Sequence, residues 1–207
     1  MAYAPSCDAA PAELGTEPPM ELKIIIVGSF GVGKTTLIGT LSEIEPLMTE
    51  EYLTAPGAAI DNLDGIADKS RTTVAMDFGR ITFDTPRYMI LLLFGAPGQE
   101  RFWFLWEGLG AGAVGAIVLV DTRRLEESFP AVNFYEQQRM PFVVAVNEFD
   151  GAYRYEEDEV RLALGLGPRT PVVKCDVRQK RPALDVLRAL VAHSLDLRGT
   201  KSSGAHA

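Results

Sequence analysis

Residues Leu22–Val27, apolar but for Lys23, form a run rich in β-branched side chains, the pattern of a strand buried on both faces. Lys34 to about Ile44 then reads as a helix. Between residues 45 and 72 no period is sustained, and Pro46, Pro56, Gly57 and Gly65 interrupt the stretch. A loop of that length in a compact domain is usually functional. Val74–Phe83 and Tyr88–Phe94 read as strands joined by a turn at Asp84-Thr85-Pro86-Arg87, hence an antiparallel pair. Val114–Val120 reads as another buried strand, ending in Asp121. A helix around Glu126–Gln138 leads through Pro141 into the strand Phe142–Val146. Glu156–Leu164 reads as a short acidic helix and Pro171–Lys174 as a strand. Pro182–Leu195 is an amphipathic helix, with Leu184, Leu187, Val191 and Leu195 at helical spacing.

Alternating strands and helices predict a parallel sheet covered on both faces, with right-handed crossovers. The hairpin supplies one antiparallel edge strand. Ligands in such an architecture sit beyond the carboxyl ends of the strands.

Composition narrows the functions. The chain has 207 residues, with 20 Lys and Arg against 28 Asp and Glu, a formal charge of −8. That balance argues against nucleic acid as a partner, because a phosphate backbone requires a basic stripe. Cys7 and Cys175 are too far apart in sequence for a CxxC metal motif, and His193 and His206 are too few for a histidine metal site. The expected location is cytoplasmic. Residues 1–20, rich in Ala and Pro, read as a disordered leader, with Met20 an alternative start. Residues 21–198 read as the folded domain and 199–207 as a flexible tail. No apolar stretch approaches the ~20 residues of a membrane span, and the C-terminus lacks a prenylation box.

The sharpest chemical signal is Gly28-Ser29-Phe30-Gly31-Val32-Gly33-Lys34-Thr35, which fits GxxxxGK[ST] between a strand and a helix. Glycines such as Gly28, Gly31 and Gly33 let backbone N–H groups converge on phosphate oxygens, and the helix N-terminus adds positive potential. Lys34 supplies charge to the β- and γ-phosphates, and the Thr35 hydroxyl is a ligand for Mg²⁺. Val32 and Thr36 complete the loop and first turn. The spacing is not GxGxxG, which disfavours a dinucleotide site. The expectation is a bound nucleoside triphosphate.

Three further motifs follow in order. Thr73, with Thr72 beside it, precedes the strand Val74–Phe83. Pro97-Gly98-Gln99-Glu100-Arg101-Phe102 closes the strand Tyr88–Phe94. Asn147-Glu148-Phe149-Asp150 follows the strand Phe142–Val146 and matches N-K-x-D at two of its three fixed positions. In this order the motifs resemble those of Ras-like small GTPases over Glu21 to about Leu197. The resemblance is strongest to the bacterial MglA-like group, and within it to the actinobacterial conservon (CvnD-class) GTPases, whose PGQxRFWF segment this chain matches. It implies an α/β P-loop NTPase with a Ras-like three-layer fold and a mostly parallel six-stranded sheet with one antiparallel edge strand. It also implies a GTP/GDP switch using Mg²⁺, with slow hydrolysis, a roadblock/LC7-type regulatory partner, a sensor-kinase-like membrane complex and recruitment to the membrane through partners.

Carried over residue by residue, the resemblance makes Thr73 a metal ligand and γ-phosphate sensor, Gly98 a γ-phosphate contact and Gln99 the residue orienting attacking water. Asn147 braces the pocket. Asp150 accepts from guanine N1–H and the exocyclic amine. Cys175 and Asp176, in Lys174-Cys175-Asp176, fall in a base-proximal loop. Arg71 is a candidate arginine finger, with Arg101 as competitor. Two departures stand out. The usual DxxG aspartate position is Gly95, and Asp77 is the candidate replacement in the metal shell, or else a solvated edge residue. Glu148 stands where the motif has lysine. Phe102, Trp103, Phe104 and Trp106 divide between core and a partner-binding patch. The alternatives are a hydrolysis-deficient GDP/GTP-bound adaptor, or an ATPase or kinase using Asp121.

Overall fold

The computed structural model describes residues 19–53, 72–84, 88–98 and 103–203. Its elements run β1 (Met20–Val27), α1 (Lys34–Leu41), β2 (Leu47–Leu53), β3 (Thr72–Phe83), β4 (Met89–Gly95), α2 (Trp103–Gly110), β5 (Ala113–Val120), a 3₁₀ segment (Thr122–Ser128), α3 (Phe129–Gln137), β6 (Phe142–Asn147), α4 (Glu157–Ala163), β7 (Val172–Cys175) and α5 (Lys180–Ser203).

One sheet carries all the described strands in the order β2-β3-β4-β1-β5-β6-β7. From β4 to β7 every pairing is parallel, while β3 runs antiparallel to β4. The six expected strands are therefore present, mostly parallel with one reversed. A seventh, β2, lies within the segment read as a loop. It pairs antiparallel with β3 from Leu47↔Phe78 to Leu53↔Thr72, so β3 is not the edge. Thr72 and Thr73 lie inside β3 rather than ahead of it.

The double-sided burial expected of the central strands holds. Ile24 and Ile26 of β1, Ile117 and Leu119 of β5 and Val143 of β6 pack on one face with Leu37, Ile38 and Leu190 of the flanking helices. Their neighbours Ile25, Val27, Val118 and Val144 pack on the other with Trp106, Val132 and Tyr135. Each such side chain stabilises the fold by roughly 1.5–3 kcal/mol relative to exposure.

The helices differ from expectation for local reasons. α1 stops at Leu41 because Ser42 and Glu43 tie the chain to β3: Glu43 N donates to Arg80 O at 2.8 Å. The Glu43 carboxylate accepts from Arg80 Nε at 2.8 Å and from Thr82 N at 2.9 Å. The helix read over 126–138 is divided. Asp121 caps a 3₁₀ segment by accepting from Arg123 N, and α3 begins at Phe129 with Pro130 in its first turn, where a missing N–H costs nothing. α2 was not expected at all. α5 runs on to Ser203, past the predicted end at Leu195.

Candidate functional site

The loop between β1 and α1 turns on glycines. Gly28, Gly31 and Gly33 have φ of 145°, 73° and 107°, values that a side chain resists. Gly33 is the N-cap of α1, and no side chain caps that end. The first turn, with exposed Thr35 and Thr36, thus presents an open helix N-terminus of the kind that binds anions. Val32 is wholly buried and pins the loop to the core.

Lys34 folds back over the loop, its Nζ donating to Gly28 O and Ser29 O, both at 2.9 Å. Burial lowers its pKa to about 8, partly opposed by the nearby Asp77 carboxylate. Gly98 packs against the same loop: a Cβ there would lie 2.3 Å from Gly28 O and 3.1 Å from Lys34 Nζ. Only glycine fits so close an approach. Buried Trp106 of α2 holds this entrance, its Nε1 donating to Pro97 O at 2.9 Å. Its ring stacks on Tyr135 at 6.4 Å. Trp106 therefore belongs to the core side of the aromatic cluster.

Asp77 is buried, 8% exposed, and its Oδ2 accepts from Thr35 Oγ1 at 2.6 Å. It is not a solvated edge residue. Two hard oxygen donors thus converge beside the phosphate loop, which suits Mg²⁺, an ion usually bound through one or two carboxylates with phosphate and water in its shell. No cluster of three or more His, Cys, Asp or Glu side chains placed to hold a metal occurs among the described residues.

The second half of the site lies at the carboxyl end of β6. Asn147 is buried and bridges three segments: Nδ2 donates to Val32 O at 2.9 Å, and Oδ1 accepts from Val177 N at 3.4 Å. Asp150, three residues on, is exposed and bound by Arg178 through two hydrogen bonds of 2.7 and 2.9 Å. Those bonds hold its carboxyl below the usual aspartate range. Asp176 binds the same arginine. Cys175 is buried, its thiol pushed up to about 12 by desolvation. It reaches the site through its carbonyl, which accepts from Glu148 N at 2.9 Å. Glu148 itself pairs with Arg154 at 2.8 Å.

The fold thus gathers Gly28, Lys34, Thr35, Asp77 and Gly98 at one end, joined through Val32 and Asn147 to Asp150 and Asp176 at the other. The side chain of Thr73 lies outside the described residues, as do Arg71, Gln99, Arg101 and Phe102 in full. Arg178, Val177 and Arg154 were not anticipated. The only signal for Arg178 was an arginine two residues beyond Asp176.

Residues 26–197 match the family described as "Conserved hypothetical ATP binding protein". The chain belongs to that family. It is 29% identical over 132 residues to an uncharacterised protein of Methanocaldococcus jannaschii, covering 63% of this chain and 71% of the relative. It is 32% identical over 151 residues to the Ras-related protein Rab-7b of Homo sapiens, covering 68% of this chain and 66% of the relative. A probable translation initiation factor IF-2 of Thermofilum pendens is 26% identical over 82% of this chain and only 27% of that protein. Among solved structures, the G domain of the T. maritima FeoB iron transporter superposes with a TM-score of 0.56 at 19% identity, over 84% of this chain and 99% of that domain. The fold is that of the G-domain P-loop NTPases.

Proposed function

We propose that this chain is a guanine-nucleotide switch that binds GTP and GDP with Mg²⁺ and hydrolyses GTP slowly. The observation that carries the reading is Asn147, which ties the phosphate loop and the segment bearing Asp150 into one pocket. A carboxylate there matches the two adjacent donors of guanine, N1–H and the exocyclic amine. Adenine offers a donor beside an unprotonated ring nitrogen, and a carboxylate repels the latter. Rab-7b, named as Ras-related, and the FeoB G domain support the same reading. The family's description names ATP instead, and chromatography of the nucleotide that co-purifies with the chain decides between the bases.

The phosphates lie over the open end of α1, with Lys34 shifting from Gly28 and Ser29 onto them. Thr35 and Asp77, with Thr73, would hold Mg²⁺, which would supply charge neutralisation at the phosphates when bound. Gln99 orients a water in line with the γ-phosphorus. The water oxygen bonds to phosphorus as the bond to the β-bridging oxygen breaks, releasing GDP and inorganic phosphate. Lys34, and Arg71 from the preceding segment, offset the charge that develops. Contact of Gly98 and Thr73 with the γ-phosphate distinguishes the triphosphate state, and its loss releases both segments. The PGQxRFWF segment further supports placement with MglA-like, conservon-class switches, regulated by a roadblock/LC7-type protein in the cytoplasm and at a membrane-associated complex. Single-turnover hydrolysis, with and without such a partner, tests this. A chain that binds GTP yet never cleaves it in either case is an adaptor instead.

A further inference from the structure

The Asp150 carboxylate already holds a ligand of its own chain. Arg178 Nη1 donates to Asp150 Oδ2 at 2.7 Å and Nη2 donates to Oδ1 at 2.9 Å, across 28 residues of sequence. The other edge of the guanidinium is anchored locally. Nε and Nη2 donate to Asp176 Oδ1 and Oδ2, each at 2.9 Å, and Asp176 Oδ1 also accepts from Arg178 N at 3.0 Å. Gln179 Nε2 steadies Asp176 Oδ2 at 3.1 Å. Hydrogen bonding from Arg178 accordingly holds the Asp176 carboxyl far below the usual range.

Two parallel N–H groups directed at one carboxylate are the donor pattern of a guanidinium fork. They are also the pattern of the guanine edge, since N1, N3 and the exocyclic amine around C2 of that base form a cyclic guanidine. Arg178 and guanine therefore compete for the same two oxygens. We infer that Arg178 is a built-in placeholder for the base, occupying Asp150 in the nucleotide-free chain and releasing it, while keeping Asp176, when guanine is seated. This inference rests on the guanine reading above.

Exposure makes such a placeholder displaceable. The side chains of Arg178 and Asp150 are 54% and 79% exposed, so the pair is weak and sensitive to salt. Guanine replaces two donors with two donors, whereas adenine would leave Asp150 facing a lone pair. Seating guanine costs the chain only the exposed pair, an effect of about twofold to fivefold in nucleotide binding.

The test follows binding of N-methylanthraniloyl-GDP to the full chain stripped of nucleotide, in the parent and in Arg178→Gln. The expected result is an association rate about twofold to fivefold faster in the variant, with the ratio of variant to parent falling toward one at high salt. Circular dichroism confirms that the variant is folded, as substitution of a half-exposed arginine should leave it. A variant that binds no faster, or that releases nucleotide faster, overturns the placeholder: the arginine would then hold the base instead of its place. The N-methylanthraniloyl-ADP arm separates the two claims. A parent that takes both nucleotides equally removes the guanine reading and the placeholder together. Guanine preference with an unchanged variant removes the placeholder alone.

Discussion

Asp77 and Gly95 are direct partners across the antiparallel β3–β4 ladder, and the aspartate fills the space that a side chain at position 95 would need. A Cβ on Gly95 would lie 3.2 Å from Asp77 Oδ2 and 2.9 Å from Ile38 Cδ1. The carboxylate absent from β4 is thus present on the neighbouring strand, directed at Thr35.

This exchange predicts a reciprocal rescue. Asp77→Ala should weaken Mg²⁺-dependent nucleotide affinity about tenfold or more, since the charge-assisted hydrogen bond to Thr35 alone is worth roughly 1.5–3 kcal/mol. Gly95→Asp alone should destabilise the fold by about 1–3 kcal/mol, through overpacking and the approach of two carboxylates. Combined, the two changes should recover part of the Mg²⁺ dependence. Nucleotide titrations with and without Mg²⁺, with thermal melts, provide the comparison. Unaltered Mg²⁺ dependence in Asp77→Ala would remove Asp77 from the metal shell.

Asn147 is expected to matter for stability as well as binding. Replacement by alanine leaves Val32 O and Val177 N without their side-chain partner inside the protein. The loss should be about 1–3 kcal/mol in chemical denaturation, with weaker nucleotide binding. A neutral variant would show that the two halves of the site are not coupled through this residue.

Trp106→Phe should keep most of the apolar packing but remove the indole hydrogen bond to the Pro97 carbonyl. A loss of about 1–3 kcal/mol in stability is expected. Because Pro97 precedes Gly98, discrimination between GTP and GDP should narrow as well. Equal discrimination in parent and variant would confine Trp106 to the core.

Lys34 gives the site a pH dependence. In the free chain, burial depresses its pKa from 10.5 to about 8. A phosphate beside the ammonium raises it again, so the complex retains a proton that the free chain releases. Affinity should be full below that pH and fall as pH rises through it, by up to tenfold per unit. For folding of the free chain the sign reverses. The unfolded lysine binds more protons between about 8 and 10.5, so this group's penalty is relieved as pH rises across that window. Calorimetric titration of GDP from pH 7 to 9 checks the first claim, and a flat profile contradicts it.

What could be read from the sequence divides along physical lines. β5, β6 and the Ile24–Val27 half of β1 were legible because both faces are buried there, leaving continuous apolar runs. The phosphate loop was legible because its chemistry needs local residues in fixed order. β2 was not, because Leu-Met-Thr-Glu-Glu-Tyr-Leu neither alternates nor runs apolar, and the strand follows from pairing with β3. α2 was hidden because Trp-Phe-Leu-Trp-Glu-Gly-Leu-Gly has no polar stripe and holds two glycines. Glu43 and Ser42 ended α1 early through contacts with β3 that no local pattern foretells. The role of Arg178 is not legible in the sequence because its partner Asp150 lies on a different loop.

Base selection by Asp150 is the step on which a guanine-nucleotide switch depends most. Its most direct test is competition of GDP and ADP for the parent chain and for Asp150→Ala in the presence of Mg²⁺. With Asp150 selecting the base, the parent prefers GDP by at least tenfold, about 1.4 kcal/mol, and the alanine variant loses the preference. A parent that holds both diphosphates equally, or a variant as selective as the parent, contradicts it.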